Sequence, residues 1–247
     1  MQAQTIIEAL KRVQNSGISI TTETLADYGL DLVDCSKCGN TGAIVTKSAD
    51  GTVYARECDC MNKRRSLRRI KNSGLADVLP RYTFESYKTT NEAQKKVKAK
   101  ALEYCESSPC WFYLSGGSGS GKSHICTAIC SKFIESREVY YMSWRDESVA
   151  LKRELNDEAY EKHISKLKKV SVLYIDDFLK LSDSDADLRL AFEILNARYN
   201  DSKLRTIISS EKSIEEILSK DEALGGRIYE RARGFILQAP KENWRMR

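Results

Sequence analysis

Residues Gly116-Gly117-Ser118-Gly119-Ser120-Gly121-Lys122-Ser123 fit the pattern G-x-x-x-x-G-K-[ST]. A short apolar run, Trp111 to Ser115, precedes the motif, and a helical stretch, His124 to Ile134, follows it. That context restricts the fold more than any other feature of the chain. It demands a strand, a tight loop and a helix in succession. The glycines let backbone N–H groups close around an anion, and the helix turns its positive end toward it. In this pattern Lys122 reaches the β- and γ-phosphates of a nucleotide, and Ser123 holds Mg²⁺. Gly116, Gly117, Ser118, Gly119, Ser120, Gly121, Lys122, Ser123 and the adjoining His124 are the expected ATP contacts.

Beyond about residue 90 strands and helices alternate. Glu138 to Ser143, Val170 to Ile175, Leu204 to Ser209 and Gly234 to Gln238 read as further strands, mostly separated by helical stretches. This pattern predicts an α/β domain with a parallel sheet flanked by helices.

Two strand ends carry chemistry. Val170 to Ile175 leads into Asp176-Asp177. Asp176 is placed to hold Mg²⁺ and Asp177 to orient or deprotonate an attacking water. Many ATPases have Glu at the second acid. Asp177 is one methylene shorter, which predicts slow hydrolysis or a need for a partner. Leu204 to Ser210 ends in two hydroxyls, and Ser210, with Ser209 second, is the candidate sensor of the γ-phosphate; the alternative is an ordinary polar strand end. Further on, Arg227 and Arg231 lie four apart on an expected helix and share a face. Such an arginine can serve a neighbouring subunit's phosphoryl transfer or simply face solvent.

The N-terminal part differs. Residues 1–30 read as helices, with a stop at Asn15-Ser16-Gly17. Cys35-x-x-Cys38-Gly39 is followed, after short β-like pieces at 43–45 and 52–54, by Cys58-x-Cys60. Four thiolates can enclose Zn²⁺ in a closed, structural site, and metal would supply much of the folding energy of so small a module. A redox pair or separate buried thiols are the alternatives. Lys63 to Lys71 then packs six basic residues into nine. It reads equally as a phosphate-contacting helix or as a charged linker. The expected domains are 1–75 and 76–247.

Composition sets outer limits. The chain has 247 residues, 41% hydrophobic and 30% charged, with a net charge of +5. No apolar run approaches the ~20 residues that cross a bilayer. The first residues lack a signal-peptide pattern. A cytoplasmic protein with no membrane association is expected. Four of the eight cysteines are clustered and four scattered, which argues against a disulfide framework.

Together, the cysteine segment, the basic helix, Arg81-Tyr82-Thr83-Phe84-Glu85-Ser86-Tyr87 before the phosphate loop, Gly226-Arg227-Ile228-x-x-Arg231 and the closing Asn243-Trp244-Arg245 resemble the bacterial and phage replicative-helicase loaders, the DnaC/DnaI type. The resemblance implies an AAA+ ATPase core behind a helical and zinc-binding N-terminal domain. It implies an N-terminal region that binds a hexameric replicative DNA helicase, and an ATPase domain that binds single-stranded DNA and self-assembles on the helicase. It further implies that ATP sets helicase release, with hydrolysis stimulated by assembly or DNA. By motif position Arg231 resembles the trans-acting finger, with Arg227 the alternative, and 81–87 resembles part of the adenine-side wall. Few residues follow the last strand, so the usual helical lid is expected to be minimal or absent. An IstB-like transposition helper shares the core and is the runner-up; it has no need of the cysteine module.

Overall fold

The computed structural model describes residues 34–47, 53–72, 79–134, 136–153, 158–180 and 183–239. The expected N-terminal helices and the stretch 243–245 lie outside the described residues. The chain divides into two compact units, Met1–Arg68 and Arg69–Arg247. The division falls a little before the expected junction at 75 and 76.

In the first unit, β1 (Ala43–Lys47) pairs antiparallel with β2 (Val53–Glu57), with Ala43 opposite Glu57 and Lys47 opposite Val53. Helix α1 (Cys60–Asn72) follows directly. Among the described residues of this unit few apolar side chains are buried. Ala43 and Cys58 are buried, while Val45, Val53 and Tyr54 are exposed.

The second unit is built on a five-stranded parallel sheet. Its strands are β3 (Trp111–Ser115), β4 (Val139–Ser143), β5 (Val172–Asp176), β6 (Arg205–Ser210) and β7 (Ile236–Gln238). Their order across the sheet is β4-β5-β6-β3-β7. Both faces are covered, so the central strands are buried along their length rather than on alternate residues; every residue of β3 and β6 is buried, the polar Arg205, Thr206, Ser209 and Ser210 included.

Helices α2 (Glu92–Glu106), α3 (Lys122–Ile134), α4 (Trp144–Arg153), α5 (Glu158–Lys169), α6 (Asp185–Tyr199), α7 (Ile214–Lys220) and α8 (Glu222–Arg231) complete the unit. Several start on side-chain caps that satisfy free backbone donors. Asn91 and Gln94 form a capping box on α2, and Ser213 and Glu216 another on α7. Ser184 caps α6 and Asp221 caps α8. Helix α3 packs on β4, β5 and β6. A second layer buries Trp111, Tyr113, Leu173, Ile175 and Ile208 against Trp144, Leu151, Leu190 and Ile228. Alternate strand residues thus serve opposite layers.

Arg198 pins this second layer. It is fully buried, and Nη1 donates to the Leu167 and Val170 carbonyls at 2.9 Å each. Nε donates to Thr206 Oγ1 at 2.9 Å and Nη2 to the Arg205 carbonyl at 2.6 Å. One side chain thereby ties α5 and α6 to the first residues of β6. Arg198→Met keeps the bulk but strands those carbonyls, each worth about 1–3 kcal/mol when buried unpaired. Denaturant titration should show a loss of about 3 kcal/mol or more; a loss below about 1 kcal/mol would contradict the role given to Arg198.

Candidate functional site

The phosphate loop spans the end of β3 and the start of α3. The Gly116 N–H donates to the Ser210 carbonyl at 3.1 Å, fixing the loop onto the end of β6. Gly116 has φ +146°, and a Cβ there would lie 2.9 Å from that of Ala239. Gly121 has φ +89°, and a Cβ would meet the Tyr87 ring at 3.2 Å. Lys122 is buried, with Nζ donating to the Gly116 and Gly117 carbonyls at 2.7 and 2.9 Å. Burial lowers its pKa, opposed by Glu211, Asp177 and Asp176.

A cavity over the loop is lined by Tyr82, Ser118, Gly119, Ser120, Gly121, Lys122, Ser123, His124, Asp177, Lys180 and Glu211. Tyr82 stacks on His124 with ring centroids 4.7 Å apart, and Tyr87 meets the same ring edge-on at 5.2 Å. The His124 Nε2–H donates to the Thr83 carbonyl at 2.9 Å. Burial holds this imidazole below its ordinary pKa. Segment 81–87 therefore packs on the first turn of α3, and its Tyr82 forms an aromatic wall of the cavity.

Asp176 gathers several partners. Ser123 Oγ lies 3.3 Å from both its carboxylate oxygens, and the Tyr141 hydroxyl 3.4 Å from one. Ser209 Oγ donates to the other. A carboxylate beside a hydroxyl is a hard, oxygen-only donor set that suits Mg²⁺. Asp177 follows with φ +52°, a backbone conformation uncommon outside glycine.

The two candidate sensor hydroxyls have different surroundings. Ser210 lies fully buried, its hydroxyl donating to the Phe178 carbonyl at 2.8 Å and accepting from the Lys212 N–H at 3.1 Å. Ser209, the second candidate, is the one beside Asp176. Strand alternation is the reason. Ile208 belongs to the layer of α6 and α8, so Ser210 shares its side and Ser209 faces α3 with the phosphate loop.

Arg227 and Arg231 both lie on α8, and neither lines the cavity. Arg231 turns inward, with Nη2 3.4 Å from the Leu204 carbonyl and its guanidinium 6.0 Å from the Trp111 ring. Arg227 donates to Asn196 Oδ1 and the Ala223 carbonyl at 2.8 Å each and stacks over Phe192.

Two cavity residues had no clear signal in the sequence. Lys180 Nζ lies 3.1 Å from Asp177 Oδ2 and 3.1 Å from Glu211 Oε1. The turn after β5, with positive φ at Asp177 and Leu179, folds Lys180 back onto Asp177. No periodicity announces that return. Glu211 was detectable only by reading one residue beyond the strand-end hydroxyls.

In the first unit the sulfurs of Cys35, Cys38, Cys58 and Cys60 all lie within 4.8 Å of one another. Cys35 and Cys58 are 3.8 Å apart, and Cys38 and Cys60 3.6 Å. A tetrahedral site with Zn–S of about 2.3 Å has edges of about 3.8 Å, so the donors fit zinc. Backbone hydrogen bonding at Cys38 draws the Cys35 thiol down to about 7, and burial pushes Cys60 up to about 12. Arg64 is fully buried beside Cys60 and donates to Asn40 Oδ1 at 3.1 Å. A buried cation matches the negative charge of four thiolates. Two of the six basic residues of 63–71 are thus taken up inside the unit. Arg64 is buried beside Cys60, and Arg65 pairs with Glu57.

Residues 37–236 match the family described as IstB-like ATP binding protein. The chain belongs to that family. Its relatives include the uncharacterised YqaM of Bacillus subtilis, 29% identical over 74% of this chain and 63% of that protein, so the match spans less than two thirds of YqaM. The phage-like element PBSX protein XkdC of the same organism is 26% identical over 96% of this chain and 94% of XkdC. The replicative helicase loader DnaC of Escherichia coli K12 is 27% identical over 74% and 76%. Among solved structures, the DnaC helicase loader superposes with TM-score 0.60 at 20% identity, over 67% of this chain and all of that one. DnaI superposes with TM-score 0.53 at 18% identity, over 67% and 92%. The chain is thus an IstB-like ATP-binding protein, and its parallel sheet flanked by helices is the fold seen in the DnaC and DnaI structures. Among the described residues no helix is long and apolar enough to cross a membrane.

The loop geometry separates two glycines. A Cβ on Gly117 would meet nothing within 4 Å, and its φ is not positive. Gly121→Ala should lower stability by about 1–2 kcal/mol, whereas Gly117→Ala should stay within about 0.5 kcal/mol. Thermal unfolding of the two variants side by side tests the packing of Tyr87 on the loop; equal values would contradict it.

Proposed function

We propose that this protein is an ATP-dependent loader of a hexameric replicative DNA helicase in replication initiation. The observation that carries the reading is the similarity to the E. coli loader across three quarters of both chains. The cysteine-rich unit ahead of the ATPase core adds support. In this reading the N-terminal domain, taken as 1–75, binds the helicase. The AAA+ domain, taken as 76–247, binds ATP and single-stranded DNA and assembles with its copies on the helicase.

Within the ATPase domain the chain's own residues divide the work. The loop N–H groups and Lys122 hold the phosphates, and Tyr82 and His124 form the base-side wall. Ser123 and Asp176 hold Mg²⁺, which neutralises phosphate charge when bound. Asp177 orients the attacking water, and Ser209 keeps Asp176 aimed at the metal position. By motif position Arg231, or Arg227 in its place, is the arginine that acts on a neighbouring subunit. Hydrolysis is then slow until subunits assemble.

The family match favours a second reading, an IstB-like transposition helper. Native mass spectrometry of the protein mixed with its host's replicative helicase, with and without Mg-ATP, separates the two. Several copies on a helicase hexamer are expected. No complex under any nucleotide condition would overturn the loader reading and turn attention to a recombinase partner. In the same mixture Arg231→Ala should keep the complex and lose ATP turnover. Turnover lost instead with Arg227→Ala would reassign the finger.

The four sulfurs are the proposed Zn²⁺ site, closed by Cys35, Cys38, Cys58 and Cys60 and so structural rather than catalytic. Elemental analysis should find one zinc per chain. Cys35→Ser should lose it and unfold the N-terminal unit at lower temperature. Wild-type protein without zinc would refute the site.

A further inference from the structure

Beyond the phosphate loop and the acidic end of β5, the mouth of the cavity holds a pair of shared ion pairs. Lys180 sits between two carboxylates, 3.1 Å from Asp177 and 3.1 Å from Glu211. All three line the cavity that holds Lys122 and Ser123. Burial works to lower the Lys180 pKa, but hydrogen bonds and charge from Glu211 and Asp177 more than offset it, so the ammonium is firmly protonated.

The charges pose a physical problem. Asp177 and Glu211 would repel the terminal phosphate of a nucleotide in this cavity unless a cation stands between. Lys180 is the cation so placed. Its present partnerships are weak enough to exchange. The side chains are 25% exposed for Lys180, 38% for Asp177 and 36% for Glu211. Pairs this open to water are worth about 0–1 kcal/mol. A charge-assisted bond to a phosphate oxygen is about twice as strong as a neutral one. A lysine has a flexible four-carbon stem and a compact charge, which suits moving between such partners. ADP has no γ-phosphate and would leave Lys180 with Asp177 and Glu211.

We propose that Lys180 is a specificity-determining residue that reads the γ-phosphate, moving from Asp177 and Glu211 onto the terminal phosphate of ATP and so freeing Asp177 when ATP is present. The inference rests on the ATPase reading of the same cavity. It makes discrimination between ATP and ADP a property of a single chain, before any neighbouring arginine arrives.

The test is equilibrium binding of Mg-ATP and Mg-ADP by calorimetry to the full chain, wild type and variants, each checked for an unchanged circular dichroism spectrum. Lys180→Met should weaken ATP binding about tenfold, or about 1.4 kcal/mol, and change ADP binding less than twofold. Lys180→Arg, which keeps the charge, should restore most of the preference. A Lys180→Met protein with the wild-type ATP-to-ADP affinity ratio, whether both affinities hold or both fall together, would overturn the proposal and leave Lys180 a strut. Lys122→Ala serves as the control for the reading beneath it. If wild type binds no nucleotide, or Lys122→Ala binds as wild type does, the nucleotide site itself is refuted.

Discussion

Parallel pairing of β3 with β6 runs from Trp111 opposite Thr206 to Ser115 opposite Ser210. Most of the site follows from that alignment. It levels the start of the phosphate loop with the end of β6, where the Gly116 N–H meets the Ser210 carbonyl. Strand β5 pairs on the other side of β6, with Ile175 opposite Ile208. Asp176 and Ser209 therefore emerge next to the first turn of α3. A shift of one residue in either pairing would send these side chains to the opposite layer. The polar strand ends resist such a shift, because it would take Ser209 from Asp176 and Ser210 from the Phe178 carbonyl and leave those buried groups unpaired.

The two units rely on different physics. The ATPase unit is held by a large apolar interior crossed by a few satisfied polar pins, of which Arg198 is the most extensive. The described part of the N-terminal unit buries few apolar side chains. Its organisation rests on four sulfurs at tetrahedral spacing, on the turn at Gly39 and Asn40, and on a buried arginine. Asn40 links these parts, since its side chain accepts from the Cys35 N–H at 2.8 Å and from Arg64. Arg64 stands four residues after Cys60 on α1, so the helix that carries the last cysteine also brings a positive charge back over the cluster.

Charge around the phosphate loop is arranged in opposition. Lys122 and Lys180 stand among Asp176, Asp177 and Glu211. In the proposed reading such a cavity, with two cations against three carboxylates, would change its internal pairing when a polyanion or a divalent cation enters. That is the behaviour wanted of a switch, as opposed to a site that only retains its ligand. The arginines of α8 lie outside this network, bonded to helix and strand-end groups of their own unit.

Local spacing was enough to establish the α/β class, the phosphate loop with its flanking strand and helix, the acidic end of β5 and the cysteine quartet. A loop, a strand end or a metal-ligand turn is encoded by neighbouring residues at fixed intervals, so each is legible without the fold. The expected strands of the second unit fall within two residues of their places for the same reason; β5, expected at 170–175, runs from Val172 to Asp176. Which strand-end hydroxyl meets Asp176 was settled by packing. Ser209 and Ser210 are equivalent in composition, and their facing depends on the layer that each side of β6 packs against. The same holds for Lys180, which a turn of positive φ returns to Asp177, and for Arg64, whose charge reads as surface until the cysteine cluster closes over it. Facing, return and burial come from contacts distant in the chain, and no local pattern records them.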